Sequence, residues 1–94
     1  MSNVKHVGGE DKGKIFLYAL STCIWCRKTK RLLENLNVKY SYIFMDKIDG
    51  EEKEKRMDEL EKWNPRTSFP TLVINDEKVI AGYNEDEIKK ELGK

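Results

Sequence analysis

The two cysteines of this chain, Cys23 and Cys26, are separated by two residues in the stretch STCIWCRKTK. A thiolate is both a nucleophile and a metal ligand, and two cysteines this close can also form a disulfide. The spacing therefore leaves three kinds of chemistry open: a dithiol that exchanges with disulfides, half of a metal site, or a structural disulfide.

A structural disulfide and a metal site both fit poorly. A disulfide across a four-residue ring stabilises a fold by only about 2 kcal/mol, and a reducing cytosol would open it. A zinc site needs four ligands, and the pair supplies two. The sole histidine, His6, lies in a polar stretch far from the pair. We expect no metal, unless two copies of the chain share a site.

The redox interpretation fits the place of the pair in the chain. The apolar run at 15–20, IFLYAL, predicts a buried strand, and helical spacing of apolar residues begins at Cys23. Free backbone N–H groups at the first turn of a helix, with Arg27 and Lys28 close by, favour a thiolate. Cys26 falls on the inward stripe. We predict that Cys23 attacks a substrate disulfide and that Cys26 resolves the mixed disulfide.

The elements around the pair predict an α/β domain over residues 14–94 in the order βαβαββα. After the first strand and helix come an aromatic strand at 39–45, a charged helix that begins near Gly50 and ends before Pro65, the hairpin strands TLVI and KVIA, and a short helix that Asn84 caps. A helical crossover makes the first two strands parallel, and the hairpin adds antiparallel ones. We therefore expect a mixed four-stranded sheet flanked by helices.

Length and charge limit the other classes of function. Ninety-four residues suffice for one domain, and residues 1–13, polar and glycine-rich, are predicted to be a flexible leader. A net charge of +1 gives no support to nucleic-acid or membrane binding. No apolar run approaches the roughly 20 residues that span a bilayer, and no signal peptide is recognisable. We expect a cytoplasmic monomer.

Three motifs in this order resemble the glutaredoxin branch of the thioredoxin superfamily: CIWC after a buried strand, SFPT before a hairpin, and AGYNEDEI at the last helix. The resemblance covers about Lys14 to Leu92. It implies a thioredoxin fold and a thiol–disulfide oxidoreductase that acts on protein disulfides, with ribonucleotide reductase as one candidate substrate. It also implies that Pro70 follows a cis peptide bond, whereas general frequencies alone favour an ordinary trans proline at a strand start.

The chain departs from typical glutaredoxins at two points. Ile24 stands where the family usually has proline. Residues 81–84, Ala-Gly-Tyr-Asn, replace a glycine pair and acidic residue that help to hold glutathione. The pattern of Gly82, Tyr83 and Asp86 is more similar to NrdH-type redoxins, which a flavin or iron–sulfur reductase reduces. We therefore expect no cofactor, weak glutathione binding, and a dedicated disulfide reductase as the electron donor.

The resemblance also indicates where a substrate would lie. Trp25, between the cysteines, would form an apolar lip for a docking partner, although it would equally suit simple packing. Phe69 and Tyr83 flank the same face, where their backbone could pair with an extended substrate. Lys14 would supply a cation for glutathione. The expected substrate-binding residues are Lys14, Trp25, Ser68, Phe69, Pro70, Gly82 and Tyr83.

An iron–sulfur carrier is the alternative function. In that hypothesis, Cys23 from each of two chains holds a [2Fe–2S] cluster together with glutathione or another thiol. Some cluster-binding relatives lack the proline that Ile24 replaces here. The alternative therefore stays open at the level of sequence.

Overall fold

The computed structural model describes residues 3–94, which form five strands, three α-helices and a short 3-10 helix. The strands are β1 (Lys5–Val7), β2 (Ile15–Ala19), β3 (Tyr40–Phe44), β4 (Thr71–Ile74) and β5 (Lys78–Ala81). The helices are α1 (Ile24–Asn35), α2 (Gly50–Trp63) and α3 (Glu85–Leu92), and the 3-10 helix covers Met45–Lys47. Within residues 3–94, no helix is both long and apolar enough to cross a membrane.

The strands form one mixed sheet in the order β1-β3-β2-β4-β5. Strands β2 and β3 are parallel, with Phe16 opposite Ser41, as the helical crossover between them requires. Strand β4 is antiparallel to β2, and β5 is antiparallel to β4. The predicted α/β thioredoxin fold is confirmed. Because β2 is the central strand, Cys23, which follows it, lies near the middle of the sheet, at the carboxyl end of β2.

The sheet has five strands where the sequence predicts four. The additional strand, β1, pairs antiparallel with β3, so that Lys5 lies opposite Tyr42. Beyond it, the Glu10 N–H donates to the Asn37 carbonyl at 2.8 Å. These contacts are backbone hydrogen bonds to an otherwise unpaired strand edge, and they require no apolar pattern.

The segment predicted to be a flexible leader therefore contributes a strand to the domain. Val7 packs against the buried residues on one side of the sheet, which adds a side-chain contact to the backbone pairing. Met1 and Ser2, also part of the predicted leader, lie outside the described residues.

Buried side chains cover both faces of the sheet. On one face, Leu17 and Leu72 of the sheet pack with Leu33 of α1 and Ile88 of α3. On the other face, the sheet packs against Leu60 of α2. Burying each such side chain contributes about 1.5–3 kcal/mol. Helices α1 and α3 therefore lie on the same face, with α2 on the opposite one.

Candidate redox site

Cys23 is the residue that caps the amino end of α1. Its backbone is extended (φ −88°, ψ 119°), and its carbonyl accepts the N–H of Arg27 at 3.2 Å. Its Sγ accepts the N–H of Cys26 at 3.2 Å, the role that a serine or aspartate oxygen usually has at a helix start. The cap holds the sulfur of Cys23 at the helix terminus, where Cys23 packs against the margin of the hydrophobic core.

Cys26 lies in a different environment. It is 0% exposed, whereas Cys23 is half-buried, and both are free thiols. Burial, reinforced by the hydrogen bond with Cys23, raises the pKa of the Cys26 thiol to about 12. A neutral, buried thiol is a poor nucleophile toward a molecule in solution. Of the two sulfurs, that of Cys23 is therefore the more accessible to a molecule in solution.

Asp46 fixes the loop that leads into Cys23. The N–H of Ser21 donates to Asp46 Oδ1 at 2.8 Å, and the Ser21 hydroxyl donates to Oδ2. The hydrogen bond from the hydroxyl lowers the pKa of Asp46, so the carboxylate is charged at neutral pH. Its charge also contributes to raising the pKa of Cys26. The sequence interpretation missed Asp46; the available signal was an acidic residue directly after the strand parallel to β2.

The Phe69–Pro70 peptide bond is cis, as predicted. Pro70 is buried, and its carbonyl accepts the N–H of Gly82 at 2.8 Å. Gly82 has a φ of 83°, in the region that favours glycine. This hydrogen bond joins the segment before β4 to the turn after β5. Because β4 is antiparallel to β2, with Thr71 opposite Tyr18, both lie at the end of the sheet from which Cys23 follows.

Asn64 supports the Pro70 segment from within the protein. Its side chain is buried, and Nδ2 donates to Ser68 Oγ and to Thr71 Oγ1, each at 3.0 Å. Its Oδ1 accepts the N–H of Arg66 at 3.2 Å. One amide therefore bridges residues on both sides of Pro70. The sequence interpretation treated this position only as the end of a helix, and no local pattern marks its partners.

Five of the residues predicted to bind substrate line one cavity of about 240 Å³: Trp25, Phe69, Pro70, Gly82 and Tyr83. Trp25 is 51% exposed and stacks on Tyr83, with ring centroids 6.0 Å apart and planes at 29°. Lys28 Nζ lies 4.6 Å from the centroid of the Trp25 ring. Ser68 is exposed in the same segment as Pro70. The structure therefore gathers five of the predicted residues around one cavity, and Trp25, two residues after Cys23, forms part of its lining.

Lys14 does not belong to this site. It precedes β2, whereas Cys23 follows the other end of the same strand. A five-residue strand separates its two ends by roughly 16 Å. The Nζ of Lys14 instead pairs with Asp76 Oδ2 at 2.9 Å, at the hairpin turn. The prediction that Lys14 supplies a cation for glutathione is therefore corrected: Lys14 precedes β2 and Cys23 follows it, so the two residues lie at opposite ends of this strand.

The described part of the chain holds no ready-made metal centre. In residues 3–94, no three or more His, Cys, Asp or Glu side chains are grouped so that they could hold an ion. An iron–sulfur cluster on Cys23 would therefore need ligands from another molecule.

Comparisons with known proteins agree with this geometry. The family model described as Glutaredoxin matches residues 15–79. The glutaredoxin of Methanosarcina mazei is 47% identical with a TM-score of 0.91, and the match covers 99% of this chain and 90% of that one. Methanoredoxin of Methanosarcina acetivorans is 48% identical with a TM-score of 0.89, covering 92% of this chain and 90% of that one.

More distant relatives fit the same description. A glutaredoxin-like 8.6 kDa protein in the rubredoxin operon of Clostridium pasteurianum is 32% identical over 76 residues, which are 81% of this chain and 93% of that protein. The glutaredoxin-like NrdH-redoxin of Escherichia coli, 22% identical over 82% of this chain and 92% of that one, shares the fold with a TM-score of 0.67. The chain therefore belongs to the glutaredoxin family, as a thioredoxin-fold redox protein with a Cys-x-x-Cys pair.

Proposed function

We propose that the protein is a dithiol–disulfide oxidoreductase that reduces protein disulfides, with Cys23 as the nucleophile and Cys26 as the resolving thiol. The observation that carries this proposal is the unequal environment of the two sulfurs. Cys23 is half-buried at the cap of α1, whereas Cys26 is fully buried one helical turn further on. Family membership supports the reaction class, and the cap geometry supports the assignment of roles.

In the first step, the thiolate of Cys23 attacks one sulfur of the substrate disulfide. The substrate S–S bond breaks, a mixed disulfide to Cys23 forms, and the second substrate sulfur leaves as a thiolate that takes a proton from water. The exposed side chains of Ile24 and Trp25 lie beside the attacking sulfur and would contact the substrate.

In the second step, Cys26 gives its proton to the solvent, and the resulting thiolate attacks Cys23 Sγ. The mixed disulfide breaks, the remaining substrate sulfur leaves as a thiolate, and the Cys23–Cys26 disulfide forms. Two electrons have then passed from the protein to the substrate. Because the raised pKa of Cys26 keeps this thiol protonated while it is buried beside Cys23, it is poorly reactive before the mixed disulfide has formed.

A dedicated disulfide reductase, rather than glutathione, would then return the protein to its dithiol state. Tyr83 brings an aromatic ring to the cavity, and Ala81 replaces one glycine of the pair that helps typical family members to hold glutathione. Lys14, the expected cation for glutathione, lies at the end of β2 that is opposite to Cys23. We therefore propose weak glutathione binding and no resident cofactor. A dithiol that must be kept reduced suits the cytoplasm, where ribonucleotide reductase is one candidate substrate.

The test is reduction of a disulfide-bonded protein by the wild type and by two variants, with dithiothreitol as the electron source. We expect catalysis above the dithiothreitol background for the wild type and none for Cys23→Ser. Cys26→Ser should have a lower multiple-turnover activity than the wild type, because only an external thiol can resolve its mixed disulfide with the substrate. Full activity of Cys23→Ser would refute the proposal.

A further inference from the structure

A second groove lies between α1 and α3, and Tyr83 separates it from the cavity beside Cys23. It has a volume of about 620 Å³, and Tyr83 lines both spaces. Leu32 and Leu36 form the apolar part of its lining, and Lys28, Arg31 and Lys89 bring cations to it. The groove therefore begins where the Trp25–Tyr83 stack ends.

The charge of this groove is local to α1. The helix carries four basic residues and one acidic residue, although the whole chain has a net charge of only +1. Glu85 neutralises Lys89, with the charged atoms 2.8 Å apart. Within residues 3–94, neither Lys28 nor Arg31 forms an ion pair with a carboxylate. The groove therefore holds two cations whose charge no acidic neighbour compensates.

An apolar surface adjoins the cations. Ile24 and Trp25 are 61% and 51% exposed and are the large hydrophobic side chains exposed in the described part of the chain. Both lie between Cys23 and Cys26, and Trp25 stacks on Tyr83. A surface that is apolar at the reacting sulfur and cationic further along α1 is suited to a partner with the complementary pattern.

We propose that the α1–α3 groove docks an acidic segment that flanks the target disulfide of a protein substrate, while an apolar residue of that substrate contacts Ile24 and Trp25. This inference rests on the proposed function and specifies its substrate class. The charge of the groove selects the occupant, because Lys28 and Arg31 attract carboxylates and repel basic segments. A nucleic acid fits less well, since two cations without an ion-pair partner and a net charge of +1 neutralise few phosphates.

The test uses cyclic peptides that share one intramolecular disulfide and differ only in a flanking run of glutamate, serine or lysine. Fully reduced protein is mixed with each peptide, so that the Cys23–Cys26 dithiol supplies both electrons without a reductase. We expect the glutamate peptide to be reduced about tenfold faster than the lysine peptide at low ionic strength, the lower end of electrostatic steering. The ratio should fall toward one in high salt.

Two double variants separate this groove from bulk charge. In Lys28→Gln/Arg31→Gln, the glutamate-to-lysine rate ratio should fall toward one. In Lys53→Gln/Lys55→Gln, which removes the same charge from exposed positions on α2, the ratio should stay near the wild-type value. Loss of the ratio in both variants would overturn the assignment to the groove.

The remaining outcomes distinguish this inference from the proposed function. Equal rates for the peptides in the wild type would overturn the inference and leave the oxidoreductase activity standing. Failure to reduce any peptide would overturn both. The wild type could also bind a single-stranded oligonucleotide saturably, with binding lost in Arg31→Gln. That result would assign the groove to nucleic acid and overturn the inference.

Discussion

Asn64→Ala tests whether the buried amide behind Pro70 holds the site together. The substitution removes two donated hydrogen bonds of 3.0 Å and one accepted bond of 3.2 Å from a side chain that is 7% exposed. Thr71, which is 0% exposed, still donates its hydroxyl to the Ser68 carbonyl at 2.8 Å but loses the bond it accepts. The variant therefore leaves part of a buried polar network unpaired.

The expected loss follows from the number of bonds. Each net hydrogen bond contributes about 0.5–1.5 kcal/mol, so the two donated bonds give a loss of about 1–3 kcal/mol. For a domain of this size, a loss of about 2 kcal/mol lowers Tm by roughly 10 °C. We also expect a several-fold slower reduction of protein disulfides, because the Ser68–Pro70 segment loses its anchor while Cys23 keeps its cap on α1.

Urea unfolding and a disulfide-reduction assay measure the two effects. Asn64→Asp serves as a second variant, since it keeps an acceptor for the Arg66 N–H but has no donors, and it should lose at least as much stability. Glu61→Ala, at an exposed position on α2, is the control and should change stability by less than about 0.5 kcal/mol. The reasoning is refuted if Asn64→Ala matches this control in both stability and activity.

Two further predictions concern the thiols. Burial raises the pKa of Cys26 from 9.0 to about 12. Above pH 9, the unfolded chain therefore loses this proton, whereas the folded chain keeps it. The free energy of unfolding consequently falls as the pH rises. Relative to Cys26→Ala, the reduced wild type should lose stability with a slope that approaches about 1.4 kcal/mol per pH unit between about pH 10 and 11 in urea unfolding. A constant difference would contradict this. The second prediction concerns the electron donor. In coupled assays, thioredoxin-reductase-type enzymes should support faster turnover than glutathione with glutathione reductase. Faster turnover with glutathione would contradict the proposal of a dedicated reductase.

The sequence predicted the elements that local patterns control. The change from an apolar run to helical spacing placed Cys23 at the start of α1, and Asn84 caps α3 by accepting the Glu87 N–H at 3.1 Å. The cis bond before Pro70 was predicted from the SFPT motif, which lies between the second helix and the hairpin. In each case, the residues that determine the structure are neighbours in the chain.

Most of the missed features depend on residues that are distant in the chain. Ser21 and Asp46, which are 25 residues apart, meet only when β2 and β3 pair. Asn64 is an exception, because its partners Ser68 and Thr71 are close in the chain, but no pattern of residue types marks them. Strand β1 forms through backbone bonds to a sheet edge, which composition does not reveal. Lys14 is a different case, because the direction of the predicted strand already placed it at the end opposite Cys23.

The most direct test of the central claim is to identify which sulfur forms the mixed disulfide. Cys23→Ser and Cys26→Ser are each incubated with the same disulfide-bonded peptide under matched, non-denaturing conditions, and the intact proteins are analysed by mass spectrometry. The unequal burial of the two thiols predicts a covalent peptide adduct on Cys23 in Cys26→Ser, with little or none in Cys23→Ser. Equal amounts of adduct in the two variants would contradict the assignment of Cys23 as nucleophile and Cys26 as resolving thiol.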